Sequence, residues 1–398
     1  MTSQTAERKK LISELQVQRG GRLCLSYITS TRQGHEIQIA DDVLRLFYEH
    51  LEVGAEAAKK GVDLFLHSNG GSGTAPWRIV SLIREYTKNL AILVPDRAFS
   101  AATLIALGAN EIIMHKMGCL GPIDPSVANI FNPPNPVNPG QLSPISVEDV
   151  TAYFKLVSEE LGITHDDELV QALMALTEKV HPLALGNVQR SHNQARMMAI
   201  KLLKLHMPKE TDEPEIMKII DTLKSNLFFH GHPINRKEAK VDLKLKVSNP
   251  PNNLATLMRN LYVEYEKAMQ LNKPFHPTHE MEVRAKAEPA KAPFTTEQIL
   301  KQLQQLAQKG LGIGSPGISE EQLVKLAVAM IPHVGAQSPP DDAKLKLEGI
   351  VGAYVESQAR TDVFKTDMRI ERMTVVTPAG PQPGVRQEVL WQRWEEEK

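Results

Sequence analysis

Short apolar runs alternate with amphipathic stretches along the first third of the chain, and this alternation predicts the fold. Arg22-Leu-Cys-Leu-Ser-Tyr-Ile28, Val62-Asp-Leu-Phe-Leu66, Leu90-Ala-Ile-Leu-Val94 and Glu111-Ile-Ile-Met114 read as buried strands. Between them the apolar positions change to a helical period. From Ala40 onward Val43, Leu46, Phe47 and Leu51 share one face, and from Pro76 to Tyr86 so do Ile79, Leu82, Ile83 and Tyr86. Pro76 suits a first helical turn, where its missing N–H has no cost. Ala101 to Gly108 is a third helix, rich in small residues. Strands alternating with helices at this spacing form βαβ units, so the expectation is an α/β fold with a twisted, mostly parallel sheet and flanking helices.

Beyond residue 115 the pattern changes. Asn129 to Pro144 is crowded with Pro and Asn, which predicts an irregular loop and a candidate lid or pore rim. Val147 to Met207 is largely helical, Leu227 to Val247 ends in a short strand, and Leu254 to Gln270 is a further helix. The composition then shifts to Lys, Ala, Glu and Pro from His279 to Pro293, as in a linker. Two capping boxes follow, Thr295-Thr-Glu-Gln298 and Ser319-Glu-Glu-Gln322, each ahead of a helical apolar pattern. Met368 to Trp394 carries a weak hairpin pattern. The expected organisation is a lead-in over 1–20, a main domain over 21–275, a linker over 276–293 and a mainly helical C-terminal appendage over 294–398.

Charge and composition narrow the function classes. The 398 residues hold 46 Lys+Arg against 47 Asp+Glu, so there is no basic footprint for nucleic acid. Cys24 and Cys119 have neither a disulfide framework nor metal spacing, and His230 and His232 lack a matching carboxylate set, so no metal is expected. No apolar run approaches the ~20 residues of a membrane span. The polar stretch Met1 to Arg19 lacks the apolar core of a signal peptide, so a cytoplasmic location is expected. No phosphate loop is present, so no nucleotide cofactor is expected.

Two turns carry candidate chemistry. Leu64-Phe-Leu-His-Ser-Asn-Gly-Gly-Ser-Gly73 is a strand running into a glycine turn, and Val94-Pro-Asp-Arg-Ala-Phe-Ser100-Ala-Ala-Thr-Leu-Ile-Ala-Leu-Gly108 is a strand, a turn and a helix headed by Ser100. Taken singly, Gly70-Gly71 reads as a tight βα turn and Ser100 as a helix N-cap. Side by side, they would supply a nucleophile and the backbone N–H groups that stabilise an oxyanion, the minimum equipment for acyl transfer.

Five stretches resemble the Clp-protease/crotonase superfamily, and within it the signal peptide peptidase A and serine dehydrogenase proteinase families. They are Ser68-Asn-Gly-Gly-Ser72, Ala98 to Met114, Leu120-Gly-Pro-Ile-Asp-Pro125, His181-Pro-Leu-Ala-Leu-Gly-Asn-Val-Gln-Arg190 and His230 to Ala239. The resemblance covers about residues 20–275. It implies a Clp-protease/crotonase-like serine peptidase that works without ATP, with Ser100 as nucleophile and the N–H groups of Gly71 and Ala101 as the oxyanion hole. It also implies a lysine base, for which Lys179 follows Leu161-Gly-Ile163 in the matching order, with His181 and Lys155 as alternative bases. Peptides or unfolded proteins would be the substrates, the chain would form a homo-oligomer, and 294–398 would be free to engage a partner protein. Two other readings stay open: a crotonase-like enzyme acting on an acyl thioester, and a non-catalytic scaffold of the same fold.

Overall fold

The computed structural model describes residues 3–123, 126–127, 129–135, 141–225, 232–281, 344–377 and 380–397. The chain divides into two compact units: Met1–Pro274 with Val351–Phe364 and Trp394–Lys398, and Phe275–Ile350 with Lys365–Arg393.

The first unit opens with helix α1 (Ser3–Gln18), strand β1 (Leu23–Thr29) and helix α2 (Leu44–Val53). Then come β2 (Val62–His67), α3 (Ala75–Tyr86), β3 (Leu90–Val94), α4 (Ala101–Leu107) and β4 (Glu111–Met114). Four helices follow: α5 (Val147–Lys155), α6 (Asp166–Thr177), α7 (Pro182–Lys204) and α8 (Glu213–Ser225). After helix α9 (Arg236–Val241) come β5 (Val247–Ser248) and α10 (Asn252–Met269). The βαβ reading of the sequence therefore holds, with strand ends shifted by a residue at most.

Strands β5, β4, β3, β2 and β1 lie side by side in that order, every neighbouring pair parallel. Period-two alternation sends their side chains to two covered faces. Leu25, Tyr27, Leu64, Leu66, Ile92 and Val94 join the core beneath α2, α3, α4 and α7. Cys24, Ile28, Phe65, Ala91, Leu93 and Ile113 face Leu11, Ile12 and Leu15 of α1 and Met258, Leu261 and Tyr265 of α10. Every residue of α4 is buried, and its small side chains are what let a helix pass through the middle of the fold. Gly108 at its end has the same cause: a Cβ there would stand 2.8 Å from Val80 and 3.0 Å from Leu202.

The far C-terminal segment departs from expectation. Its described residues form three long strands, β6 (Lys344–Glu356), β7 (Thr361–Thr377) and β8 (Gly380–Glu396), not helices. The capping-box helices predicted after 295 and 319 lie outside the described residues, whereas the hairpin pattern over Met368 to Trp394 falls on the neighbouring strands β7 and β8. Residues 353–356 of β6 pair antiparallel with β1, extending the sheet beyond its parallel part. Glu356 is held there by Arg8 (2.8 Å), Tyr265 (2.7 Å) and Thr361 (2.8 Å), all buried. Removing Arg8 would strand a buried carboxylate, which typically costs about 3–5 kcal/mol. Arg8 comes from α1, Tyr265 from α10 and Thr361 from β7, a convergence that no local sequence pattern reports.

The second unit has its own small core of Phe275, Met281, Leu347, Met368 and Ile370. Ion pairs Lys344–Glu371, Arg369–Glu388 and Arg393–Asp367 line its strands.

Candidate active site

Ser100 heads α4 with φ 53° and ψ −114°. Among the described residues only Ser100, Lys244 and Gln270 combine a side chain with positive φ. Such a backbone is strained by about 1–3 kcal/mol and persists only where its surroundings impose it. The capping role is not what holds it, because the hydroxyl makes no capping hydrogen bond. Strain here turns the half-buried side chain out at a sharp strand-to-helix turn, the geometry of a nucleophile elbow.

The glycine turn presses against it. Gly70 has φ 107°, and a Cβ on it would meet Ser100 Cβ at 2.7 Å, the Phe99 carbonyl at 2.8 Å and the Ala101 nitrogen at 3.1 Å. Only glycine fits. Gly71 lies opposite Ile39: the Ile39 N–H donates to the Gly70 carbonyl and the Ser72 N–H to the Ile39 carbonyl, both at 2.8 Å. In that parallel pattern the N–H of Gly71 points away from Ile39. Ala101 is the first residue of α4, so its N–H has no helical carbonyl to bond. Two backbone donors thus flank the Ser100 turn.

Ser68 joins the two turns. Its N–H donates to the Arg97 carbonyl (3.1 Å) and its carbonyl accepts from the Phe99 N–H (3.0 Å). Its hydroxyl accepts from Thr29 (2.7 Å) and from the Gly70 N–H (3.0 Å). Below it, His67 is fully buried against the Tyr262 ring, 3.2 Å from the Thr31 hydroxyl and 3.6 Å from Asp96. Burial pushes the His67 pKa down to about 4 against the opposing pull of Asp96. Thr103 of α4 ties the Gly121 backbone to the Ala98 carbonyl. Ser68 and Thr103 would escape a reading of sequence alone, since a serine or threonine satisfied by backbone looks like any other.

A cleft of about 490 Å³ opens over Ser100. Its lining includes Gly70, Gly71, Ala101, Leu104 and Ile123, together with Glu36, Ile37 and Gln38 and with Ser191, Gln194 and Ala195 of α7. The α7 residues recur at i, i+3 and i+4, a face the sequence displays next to the His181 to Arg190 motif. Among these lining residues Glu36 is the one with an ionisable side chain.

The fold brings Ser100, Gly71 and Ala101 together. It sets the three candidate bases elsewhere: Lys155 is exposed at the end of α5, Lys179 is exposed just after α6, and His181 caps α7 by accepting from the Leu183 N–H while stacking on Phe131. At the usual helical rise Ser191 stands about 13 Å along α7 from Pro182. His230 and Asp124 lie outside the described residues. His232 pairs with Glu238 at 2.7 Å, and among the described residues no three His, Cys, Asp or Glu converge as a metal site requires. Burial raises the Cys24 thiol pKa well above its usual value and pushes Cys119 up to about 11, so neither is an activated thiol.

A parallel sheet of this order, with a strained serine at a strand-to-helix turn beside a glycine turn, defines the ClpP-like class of α/β folds. Comparison narrows the likeness: residues 36–175 match the model of the family described as ClpP-like SDH-type serine proteinase. The chain is 28% identical over 223 residues to the uncharacterized protein MJ0137 of Methanocaldococcus jannaschii, covering 56% of this chain and 64% of that one. It is 38% identical over 66 residues to the uncharacterized protein MJ1495 of the same organism, covering 17% and 23%. The matched stretches thus span less than two thirds of either relative. Among solved structures it is similar to a mutant of the 1510-N membrane-bound stomatin-specific protease, at TM-score 0.32 and 16% identity, covering 58% of this chain and 83% of that one. Among the described residues no helix is long and apolar enough to cross a membrane.

Proposed function

We propose that this chain is a serine peptidase that hydrolyses peptide bonds without ATP, with Ser100 as its nucleophile. The observation that carries the reading is the strained φ of Ser100 against a glycine turn that lines an open cleft. Ser100 Oγ attacks the scissile carbonyl carbon and its proton passes to a base. The oxyanion that forms is held by the N–H groups of Gly71 and Ala101, each such donor typically worth about 2.7–4 kcal/mol in the transition state. The C–N bond then breaks as the amine takes up the proton, and water releases the acyl group from Ser100. Short peptides or unfolded segments suit a cleft of this volume better than a folded chain.

The base is assigned to the helical segment that leads into α7: Lys179 first, with His181 and Lys155 as alternatives. Among the described residues no Lys or His lines the cleft, so a base from this segment has to be delivered as the helices close over substrate or by a neighbouring subunit of a homo-oligomer. Labelling by a fluorophosphonate is the test, on wild type, Ser100→Ala, Lys179→Ala, His181→Ala and Lys155→Ala. Labelling of wild type and loss in Ser100→Ala are expected, with the base identified by the second variant that fails to label. A folded wild type that does not label overturns the peptidase reading and leaves the thioester and scaffold readings.

A further inference from the structure

The part of the cleft lining made by Glu36, Ile37 and Gln38 is tied by hydrogen bonds to two other parts of the fold. Glu36, Ile37 and Gln38 belong to a small hairpin in which Thr31 and Arg32 pair with Glu36 and His35. One side of this hairpin reaches the glycine turn, through Ile39 bonded to Gly70 and Ser72. Its other side reaches the C-terminal strand. The Ser30 N–H donates to the Gly352 carbonyl at 2.7 Å, and the Ile37 N–H donates to the Ser30 carbonyl at 2.9 Å. Gly352 also touches this lining directly: a Cβ there would stand 2.7 Å from Ile37 Cγ1 and 3.2 Å from Phe364. A continuous chain of hydrogen bonds and contacts therefore runs from β6 through Ser30, Ile37 and Ile39 to the turn that carries Gly71.

We infer that residues 351–356 of β6 are a positioning element of the catalytic cleft, acting through Gly352 on Ile37 and through the 30–39 hairpin on the Gly70–Ser72 turn. This rests on the peptidase reading for its functional meaning, but the mechanical coupling stands on the contacts alone. A side chain at Gly352 would collide with Ile37, which itself lines the cleft. The strand is fixed in register by Arg8, Tyr265 and Thr361 gripping Glu356, four residues further on. A segment from the far end of the sequence thus completes a site whose family signature stops at residue 175. Whatever loosens or withdraws β6 would disturb the oxyanion turn without touching Ser100.

The experiment compares wild type, Gly352→Val, Ile37→Ala and the double variant. For folded Gly352→Val the labelling of Ser100 by fluorophosphonate is expected to slow by at least about tenfold, and Ile37→Ala in the same chain to restore most of the rate by making room. Amide hydrogen exchange at Ile39 and Ser72 is read alongside and is expected to quicken about tenfold in Gly352→Val. Labelling and exchange both unchanged in a folded Gly352→Val overturn the inference. If Gly352→Val does not fold, Ile37→Ala carries the test from the other side: a lowered kcat for a peptide substrate with KM nearly held and faster exchange at Ile39 support it, and a kcat and exchange both unchanged overturn it. If wild type fails to label, the peptidase reading falls, and exchange at Ile39 and Ser72 still decides the coupling.

Discussion

Two serines stand in turns that leave the sheet, and their surroundings are opposite. Ser357, just past β6, has the partners usually sought around a nucleophile: its hydroxyl is 2.9 Å from His50 Nδ1, and His50 Nε2 is 3.0 Å from Asp362. Yet it is 2% exposed, its N–H is tied to the Arg360 carbonyl, and Asp362 is gripped by both arms of Arg360 at 2.6 and 2.8 Å. Among the described residues Ser100 has no such partners, but it has strain, a glycine turn and an open cleft. The difference teaches that a row of Ser, His and Asp is a sound way to anchor a buried turn, whereas attack on a carbonyl first needs room and placed N–H donors. His50 and Asp362 fasten the 357–361 turn to α2.

The largest effect that would break this contrast is on labelling and hydrolysis. Ser100→Ala is expected to lower kcat by at least about 10³-fold, while Ser357→Ala leaves kcat within about threefold and lowers the midpoint of urea unfolding. Loss of labelling in a folded Ser357→Ala would reverse the assignment. Next comes Gly70→Ala. Its added methyl collides with Ser100 Cβ and the Phe99 carbonyl in a φ that side chains avoid, so kcat should fall by about 10²-fold with KM little altered. Steady-state kinetics on a peptide ester would separate the two constants.

How much of this was legible depends on whether the signal is local. The strands at 62–66, 90–94 and 111–114 announce themselves by continuous apolar runs, and the glycine turn and Ser100 lie at their ends, where a parallel sheet places its chemistry. The φ of Ser100 is not legible, because an N-cap serine and an elbow serine have the same neighbours in sequence. Nor is the C-terminal strand: Gly352 and Glu356 find their partners, Ile37 and Arg8, more than three hundred residues away. The base is not legible for the same reason: order along the chain points to Lys179, which is exposed just after α6 and is absent from the described lining of the cleft.

On stability the contrast runs the other way. Asp362→Ala removes one of the two partners of His50 and one of the partners of Arg360 in a buried setting, and is expected to cost about 2–4 kcal/mol in equilibrium urea unfolding. The disruption is confined to the Ser357 turn, so Ser100 in the folded fraction should still label. A variant that unfolds no more easily than wild type would mean that the His50–Asp362 contact contributes nothing to the turn.

The smallest effect concerns pH and distinguishes the histidine under Ser100. Burial lowers the pKa of His67 to about 4, with Arg97 adding to the fall and Asp96 opposing it, and lowers that of His35 to about 4, with Arg32 adding and Glu36 opposing. In the unfolded chain both return to about 6.5. Between those values the unfolded state binds more protons than the folded one, so stability is fully present above about pH 6.5 and is lost as pH falls toward 4. From pH 7 to pH 5 the His67 share is at most about 2 kcal/mol. Urea unfolding of wild type and His67→Gln at both pH values isolates it: the variant should lose less stability on acidification than wild type, whatever its stability at pH 7. An equal loss in the two would show that His67 is protonated as readily in the fold as outside it, and that the polar contacts beneath the Ser100 turn do not exclude water as its burial implies.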